Sequence, residues 1–198
     1  MTRMTEALAP ETARHILQFW LDDVGEAGWY KADDAVDAAI RDRFLPAWEA
    51  AHDAGAAPWT DDAEGALASL ILLDQFPRNM FRGDPRAFAT DGPARACAAA
   101  AMVRNFDLET PVPQRQFFYL PYEHSEDPLD QARGIELIAE RMGDGETLLH
   151  ARVHQEIIAR FGRFPYRNGA LGRKTTADEQ AFLDGTGYAG ILKDLRNA

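Results

Sequence analysis

Apolar residues recur every three or four positions along most of the chain, and this spacing is the strongest constraint on its fold. Ile16, Phe19 and Trp20 form one apolar face near the N-terminus. A second stripe, at four-residue spacing, follows and consists of Val36, Ile40, Phe44 and Trp48. The alternation with a period of two that marks half-buried strands is not sustained anywhere. The sequence therefore predicts an all-α protein of seven to nine helices in helix-turn-helix pairs.

Capping residues and prolines predict where several helices begin and end. Asp33 starts the helix that carries the second stripe, and Gly55 ends it, while Pro46 should kink or limit it. An Asp-rich cap at 60–62 precedes an apolar helix that Pro77 should stop or sharply bend.

Later boundaries follow from the same rules. Asp84-Pro85 predicts an N-cap with proline at the first helical position, and Gly92-Pro93 should divide the alanine-rich run that follows. Two further helices are expected at 126–142 and 146–161, with Ser125 as a candidate N-cap of the first. The sequence TADE at 176–179 is a capping box that opens a short C-terminal helix.

The bulk properties exclude several classes of protein. At 198 residues the chain is predicted to be a single domain over 1–198. Its net charge of −11 argues against nucleic acid or an anionic membrane as a partner. The first ten residues lack an apolar run for a signal peptide, and no run is long enough to span a bilayer. The single cysteine, Cys97, rules out an internal disulfide and is expected in the core. A cytoplasmic location is therefore expected.

One phrase occurs twice in the chain. FPRN at 76–79 returns as FPYRN at 164–168, with one residue inserted. The first interpretation is a repeated helix-ending corner: proline stops the helix, the phenylalanine folds back onto the core, and the arginine and asparagine satisfy the free carbonyl groups. The second interpretation is that the two copies form parts of one binding site.

Basic residues are concentrated around the second copy. Residues 160–174 contain no acidic residue and five basic ones, a local charge of +5, namely Arg160, Arg163, Arg167, Arg173 and Lys174. A helix end needs one arginine at most. Asp74 and Glu126 are candidate internal partners for the surplus, and a bound anion is the external candidate.

A polar segment at 119–127 supplies the candidate catalytic group. His124 lies there among carboxylates, and a histidine in such a setting is a natural proton carrier near neutral pH. Glu126 is its candidate partner. The alternative is that His124 is a hydrogen-bonded packing residue.

A metal site is not predicted. His150 and His154 lie four residues apart on one helix face, which makes them weak candidates that would need a third ligand such as His124 or Glu126. The HExxH, paired Glu-x-x-His and CxxC patterns are all missing, as are the nucleotide-binding glycine motifs and GxSxG. No cofactor is therefore expected.

Three longer motifs together resemble the bacterial family DUF924, whose activity is uncharacterised. They are LLDQFPRNMFRG at 72–83, LPYEHSED at 120–127, and the segment from His154 to Arg173 that contains IIARFGRFPYRN. The resemblance implies a compact helical fold similar to tetratricopeptide-type repeats, and it implies no substrate or cofactor. It carries the family's polar positions onto Asp74, Gln75, Arg78, Asn79, Arg82, Glu123, His124, Ser125, Glu126, His154, Arg160, Arg163, Arg167, Asn168 and Arg173. Tyr166 stands where a histidine is expected in relatives.

Three hypotheses about function follow. In the first, His124, oriented by Glu126 or Asp74, transfers a proton on a small anionic metabolite that is hydrolysed or isomerised. The phosphate or carboxylate of this metabolite is bound by residues in or beside the two repeated phrases: Asp74, Arg78, Asn79, Arg163, Arg167 and Asn168.

The other two hypotheses require no chemistry. In one, stacked helix pairs form an interaction surface whose arginine-rich corner holds an acidic peptide. In the other, the arginines form an internal lattice in which Arg78, Arg163 and Arg167 pair with Asp74, Glu123 and Glu126. Whether the chain is an enzyme, and its oligomeric state, stay open at this stage.

Overall fold

The computed structural model describes residues 7–197 as helices joined by short turns, without a β-strand in that range. Eight α-helices have eight residues or more: α1 Pro10–Leu17, α2 Asp34–Ala54, α3 Ala63–Leu70, α5 Asp91–Arg104, α8 Pro128–Arg141, α9 Glu146–Phe161, α10 Ala177–Asp184 and α11 Gly187–Arg196. Three are single turns: α4 Phe76–Met80, α6 Phe106–Glu109 and α7 Leu120–Glu123. The predicted all-α fold is confirmed, and the number of helices in this range is close to the predicted seven to nine.

Two π-helical segments and three 3₁₀ turns complete the described part. The π segments are Gln18–Val24 and Ile71–Gln75, and the 3₁₀ turns are Pro85–Phe88, Gln114–Phe118 and Pro165–Arg167. Within residues 7–197 no helix combines the length and hydropathy needed to cross a membrane. The N-terminal segment used to argue against a signal peptide includes residues 1–6, which lie outside the described residues.

The chain folds into two compact units, Met1–Pro121 and Tyr122–Ala198, named here the N-terminal and C-terminal units. The single domain over 1–198 and the tetratricopeptide-like stacking both stay predictions. Each unit has its own apolar core.

Aromatic rings fill the core of the N-terminal unit. The Phe76 ring lies 5.0 Å from that of Phe44 and 5.6 Å from that of Trp20, and Phe19 contacts both phenylalanines. Trp20 and Phe76 are fully buried. Because the first apolar face, the second stripe and the repeated phrase all supply rings to this core, it joins the π-helical segment Gln18–Val24, α2 and α4.

The ends of α2 follow the predicted signals. The Asp33 side chain accepts hydrogen bonds from the backbone N–H groups of Ala35 and Val36, and Gly55 ends the helix in the left-handed conformation. Pro46, however, lies inside an uninterrupted α2, so the expected limit there is wrong.

Pro77 does not end its helix, which corrects the predicted corner at the first copy of the phrase. Phe76 keeps right-handed helical dihedral angles (φ −59°, ψ −38°), and the helical path continues to Met80. The π-helical segment Ile71–Gln75 comes first, so that Pro77 lies in the first turn of α4. The Leu73 carbonyl, four residues earlier, accepts a hydrogen bond from the Thr90 hydroxyl group at 2.6 Å, so it is satisfied although Pro77 has no N–H to donate.

Gly92-Pro93 does not divide a helix either. Both residues lie in the first turn of α5, which then runs unbroken to Arg104 and buries Cys97. Burial raises the pKa of that thiol to about 12, in agreement with the predicted core position. Asp84 is the expected N-cap, although it opens a 3₁₀ turn.

The C-terminal unit is built on α8, α9 and α11. Helix α9 has the predicted bounds, whereas α8 begins at Pro128 because Asp127, not Ser125, is its N-cap. The apolar core consists of Val153, Ile157, Ile158, Phe164 and Ile191. The second copy of the phrase follows the end of α9, so here the chain does form a corner after a helix.

Candidate functional site

The arginine of the first phrase is bound by carboxylates of the N-terminal unit. Arg78 donates to the backbone carbonyl of Asp74 at 2.5 Å, and it lies 3.4 Å from the Asp74 carboxylate and 3.0 Å from that of Asp91. Asp74 is 1% exposed and also accepts a hydrogen bond from Gln75 at 2.6 Å. The pairing of Arg78 with Asp74 is the one that the lattice hypothesis predicts.

Asp37 connects α2 to the first phrase, a link that sequence reasoning missed. It accepts a hydrogen bond from Asn79 at 2.8 Å and two from Arg82 at 2.5 and 2.9 Å. Burial opposes ionisation of Asp37, but these hydrogen bonds outweigh it and lower the pKa of the carboxyl group. Asn79 therefore holds α4 against α2, and it does not cap a helix end.

Arg163, which directly precedes the second phrase, and Asn168, its last residue, meet at Glu179. Arg163 forms a bidentate ion pair with this carboxylate, with N–O distances of 2.6 and 2.9 Å, and Asn168 donates a hydrogen bond to it at 3.2 Å. The Arg163 guanidinium, helped by the Thr176 backbone N–H, lowers the pKa of Glu179 to about 2. The predicted capping box of Thr176 and Glu179 is present. The lattice hypothesis offered Asp74, Glu123 and Glu126 as partners for the three arginines and did not include Glu179.

Glu126, proposed from sequence as a catalytic partner, anchors the second corner. Its Oε1 atom accepts hydrogen bonds from Arg173 at 2.8 Å and from the Phe164 backbone N–H at 2.9 Å. Burial opposes ionisation, yet these two contacts lower the pKa of the carboxyl group. Arg160, by contrast, forms an exposed ion pair with Glu156 along α9. Three of the surplus arginines therefore have carboxylate partners within the unit.

Arg167 links the second phrase to the candidate catalytic histidine. Its Nη2 atom donates to the His124 carbonyl oxygen at 3.0 Å, and its guanidinium lies 4.5 Å from the centre of the Phe164 ring. Arg167 is 6% exposed and Phe164 is fully buried, whereas His124 is partly exposed. The fold thus fixes a cation beside the residue that carries the imidazole.

A second histidine faces a buried carboxylate in the same unit. The Nδ1 atom of His154 lies 3.5 Å from an oxygen of Glu123, and the rings of His124 and His154 are 6.1 Å apart. The Glu123 side chain is 2% exposed. Sequence reasoning placed His154 on a helix face with His150 but missed its pairing with Glu123, since nothing in the local pattern relates α7 to α9.

His150 has a different partner from His154. The Tyr188 hydroxyl group, from α11, lies 2.5 Å from His150 Nδ1. Burial lowers the pKa of His150 below its ordinary value, although the nearby Glu146 and Glu123 act in the opposite direction. Within residues 7–197 no group of three or more His, Cys, Asp or Glu side chains is arranged to hold a metal ion.

The buried side chain of Gln131 holds the segment that carries these groups. Its amide nitrogen, on α8, donates its two hydrogens to the backbone carbonyls of Glu123 at 2.6 Å and of Ser125 at 2.7 Å, and it lies 3.3 Å from that of Tyr122. Gln131 is 1% exposed. One amide group thereby fixes the backbone on both sides of His124.

We expect Gln131→Leu to lower the free energy of unfolding by about 1–3 kcal/mol, since it leaves buried carbonyl groups without a donor in a side chain of similar size. Chemical denaturation followed by circular dichroism measures this. Leu129→Ala, at a 79% exposed position on the same helix, is the control. Equal stability of the two variants would contradict the positioning role of Gln131.

The fold and these contacts define a class: an all-α protein in which arginines and carboxylates are tied together inside each of two helical units. Comparison with known families identifies the chain further. The family model described as "Bacterial protein of unknown function (DUF924)" matches residues 16–187, and the chain belongs to this family. The resemblance inferred from the three motifs is confirmed.

A solved structure supports the same assignment. The chain is similar to a protein of unknown function from Agrobacterium tumefaciens, with 43% sequence identity and a TM-score of 0.82. The similarity covers 91% of this chain and 98% of that one. The comparison with curated proteins gave no match.

Proposed function

We propose that the C-terminal unit binds a small anionic metabolite, a phosphate or a carboxylate, beside His124, and that this imidazole transfers a proton on it. The observation that carries the proposal is the position of Arg167. A nearly buried guanidinium is hydrogen-bonded to the backbone of the residue whose side chain is the best candidate for acid–base chemistry.

The chemistry of both groups fits this role. A guanidinium offers a planar fork of donors that matches a carboxylate or phosphate, and contact with the Phe164 ring restricts its orientation. An imidazole exchanges protons near neutral pH. An anion bound by Arg167 would place its neighbouring atoms within reach of His124.

The other predicted ligand-binding residues of this unit have a supporting role in the proposal. Arg163 and Asn168 hold the corner through Glu179, and Glu126 holds it through the Phe164 backbone. In the N-terminal unit, ligand binding by Asp74, Arg78 and Asn79 stays a prediction.

The experiment is a thermal-shift screen of the protein against phosphate, phosphosugars, nucleotides and dicarboxylates. A ligand at 100 times its Kd stabilises a protein by about 2.7 kcal/mol, which raises Tm measurably. We expect an anion to raise the Tm of the wild type and of Arg160→Gln, which removes an exposed arginine of α9. The shift should be lost in Arg167→Gln, while His124→Asn should bind the anion without converting it.

Other outcomes of the screen would change the proposal. Shifts that persist in Arg167→Gln would place the anion elsewhere. An acidic peptide that raises Tm where no small anion does would favour the interaction surface instead. If every anion and peptide fails and Arg167→Gln merely melts earlier, the arginine belongs to a structural lattice.

A further inference from the structure

We infer that the ligand carries an amino group in addition to its anionic group, and that Glu123 and His154 bind this amino group. The ligand class is then an amino acid or an amino-phosphate. The inference rests on the proposed function for the anionic half of the ligand, while the site for the amino half is argued from separate contacts.

Within residues 7–197, the Glu123 carboxylate has an unsatisfied oxygen atom. Among the described residues, Glu123 Oε1 and His154 Nδ1 are both buried atoms without a hydrogen-bond partner. The 3.5 Å separation of this histidine nitrogen from the other Glu123 oxygen is an ion-pair distance with poor hydrogen-bond geometry. A buried carboxylate oxygen without a donor is strongly unfavourable, so the site favours an occupant that brings N–H groups.

The electrostatic surroundings of Glu123 also favour a cation. Tyr188 packs edge-on against His154 with their ring centres 5.5 Å apart. Burial raises the pKa of Tyr188, and the negative charge of Glu123 raises it further. The same negative charge that disfavours a phenolate here favours a bound ammonium group.

Aromatic faces complete the site for a cation. The His154 ring lies 5.5 Å from that of Phe164, and Tyr166 stacks on Phe164 at 5.3 Å. Tyr166 is 48% exposed and His154 is partly exposed, so solvent reaches this side of the unit. Aromatic rings around a carboxylate are a common setting for binding of organic ammonium groups.

The cation site and the anion site share one ring. Phe164 contacts both Arg167, whose guanidinium lies over its face at 4.5 Å, and His154. Arg167 also bonds to the carbonyl of His124, the residue that follows Glu123 in the chain. In the proposed complex, the anionic group of the ligand meets Arg167 and its amino group meets Glu123.

The test compares matched pairs of ligands that differ in the amino group alone: glutamate with glutarate, and phosphoethanolamine with ethyl phosphate. We expect the wild type to bind the amino member at least about tenfold more tightly by calorimetry, because a charge-assisted hydrogen bond is added. Glu123→Gln should lose this preference and keep its affinity for glutarate or ethyl phosphate. Glu156→Gln, which removes an exposed carboxylate of α9, should retain the preference.

A second measurement does not depend on the folding of Glu123→Gln. Phosphocholine keeps the positive charge of phosphoethanolamine but has no N–H group, so the wild type should bind it more weakly. Equal binding of the two members of each matched pair would overturn the inference and leave the anion site intact. A divalent metal that stabilises the wild type and not Glu123→Gln would also overturn it. Failure of every anion to bind would remove both proposals.

Discussion

Phe76→Ala should lower the free energy of unfolding by about 3–5 kcal/mol, the usual cost of truncating a buried phenylalanine. The side chain is fully buried, and its ring contacts those of Phe19, Trp20 and Phe44. The loss includes the cavity left behind, because the surrounding rings belong to two separate helical segments and cannot all move inward to fill it. Urea denaturation followed by tryptophan fluorescence measures the change.

The control for this prediction is Val103→Ala, an 84% exposed position in the same unit. Its free energy of unfolding should stay within about 0.5 kcal/mol of the wild type. A loss below about 1 kcal/mol for Phe76→Ala would show that the core can repack around the site. Packing of the core would then not explain why these residues occur at 76–79.

The helical class and many helix ends could be predicted because they depend on local chemistry. The carboxylate of Asp33 reaches N–H groups two and three residues later, and Gly55 takes a left-handed conformation at no steric cost. The capping box at Thr176 and the bounds of α9 follow from the same short-range rules. Each of these features is decided within one helical turn.

The effect of each proline on its helix was harder to predict, because the free-energy cost of a proline depends on the conformation of the backbone before it. Pro77 was expected to end a helix, but the π-helical segment Ile71–Gln75 places it in a first turn, where it costs little. Pro93 lies in the first turn of α5 in the same way. A local pattern does not distinguish a proline that breaks a helix from one that begins the next helical segment.

The candidate site could be predicted in its residue types but only partly in its pairings. Asp74 and Glu126 were expected to pair with the arginines and do bind Arg78 and Arg173, whereas Arg163 meets Glu179, which was not expected. The pairing of Glu123 with His154 was not predicted either, and these two residues are also distant in sequence. Such partners are determined by how the helices pack against each other. The spacing of residues within one segment of the sequence carries no information about that packing.

The two copies of the repeated phrase therefore adopt different backbone structures. In the first copy Phe76 and Pro77 lie in a continuing helical path, and in the second Phe164 and Pro165 form a corner after α9. What the copies share is a fully buried phenylalanine followed by polar residues bonded to carboxylates of their own unit. Arg167, bound to the His124 backbone, gives the second copy its proposed role in ligand binding.

Glu179→Gln should produce the largest loss of stability among polar substitutions, a Tm decrease of several degrees at pH 7. It removes the charge that holds Arg163, Asn168 and the first turn of α10 together. Breaking a buried network of this kind is among the few mechanisms with large effects. Differential scanning calorimetry of the two proteins at one concentration measures the difference.

The difference should also depend on pH in a defined direction. The folded pKa of Glu179 is lowered to about 2 from an ordinary value of 4.5, so its ionisation stabilises the folded state above pH 4.5. That stabilisation is lost as the pH falls from 4.5 towards 2. The Tm values of wild type and Glu179→Gln should therefore converge over this range. Asp178→Asn, which removes an exposed carboxylate from the same turn, should show a smaller Tm loss at pH 7. A gap between Glu179→Gln and wild type that stays constant down to pH 2 would mean that packing of this side chain, and not its ion pair with Arg163, stabilises the corner.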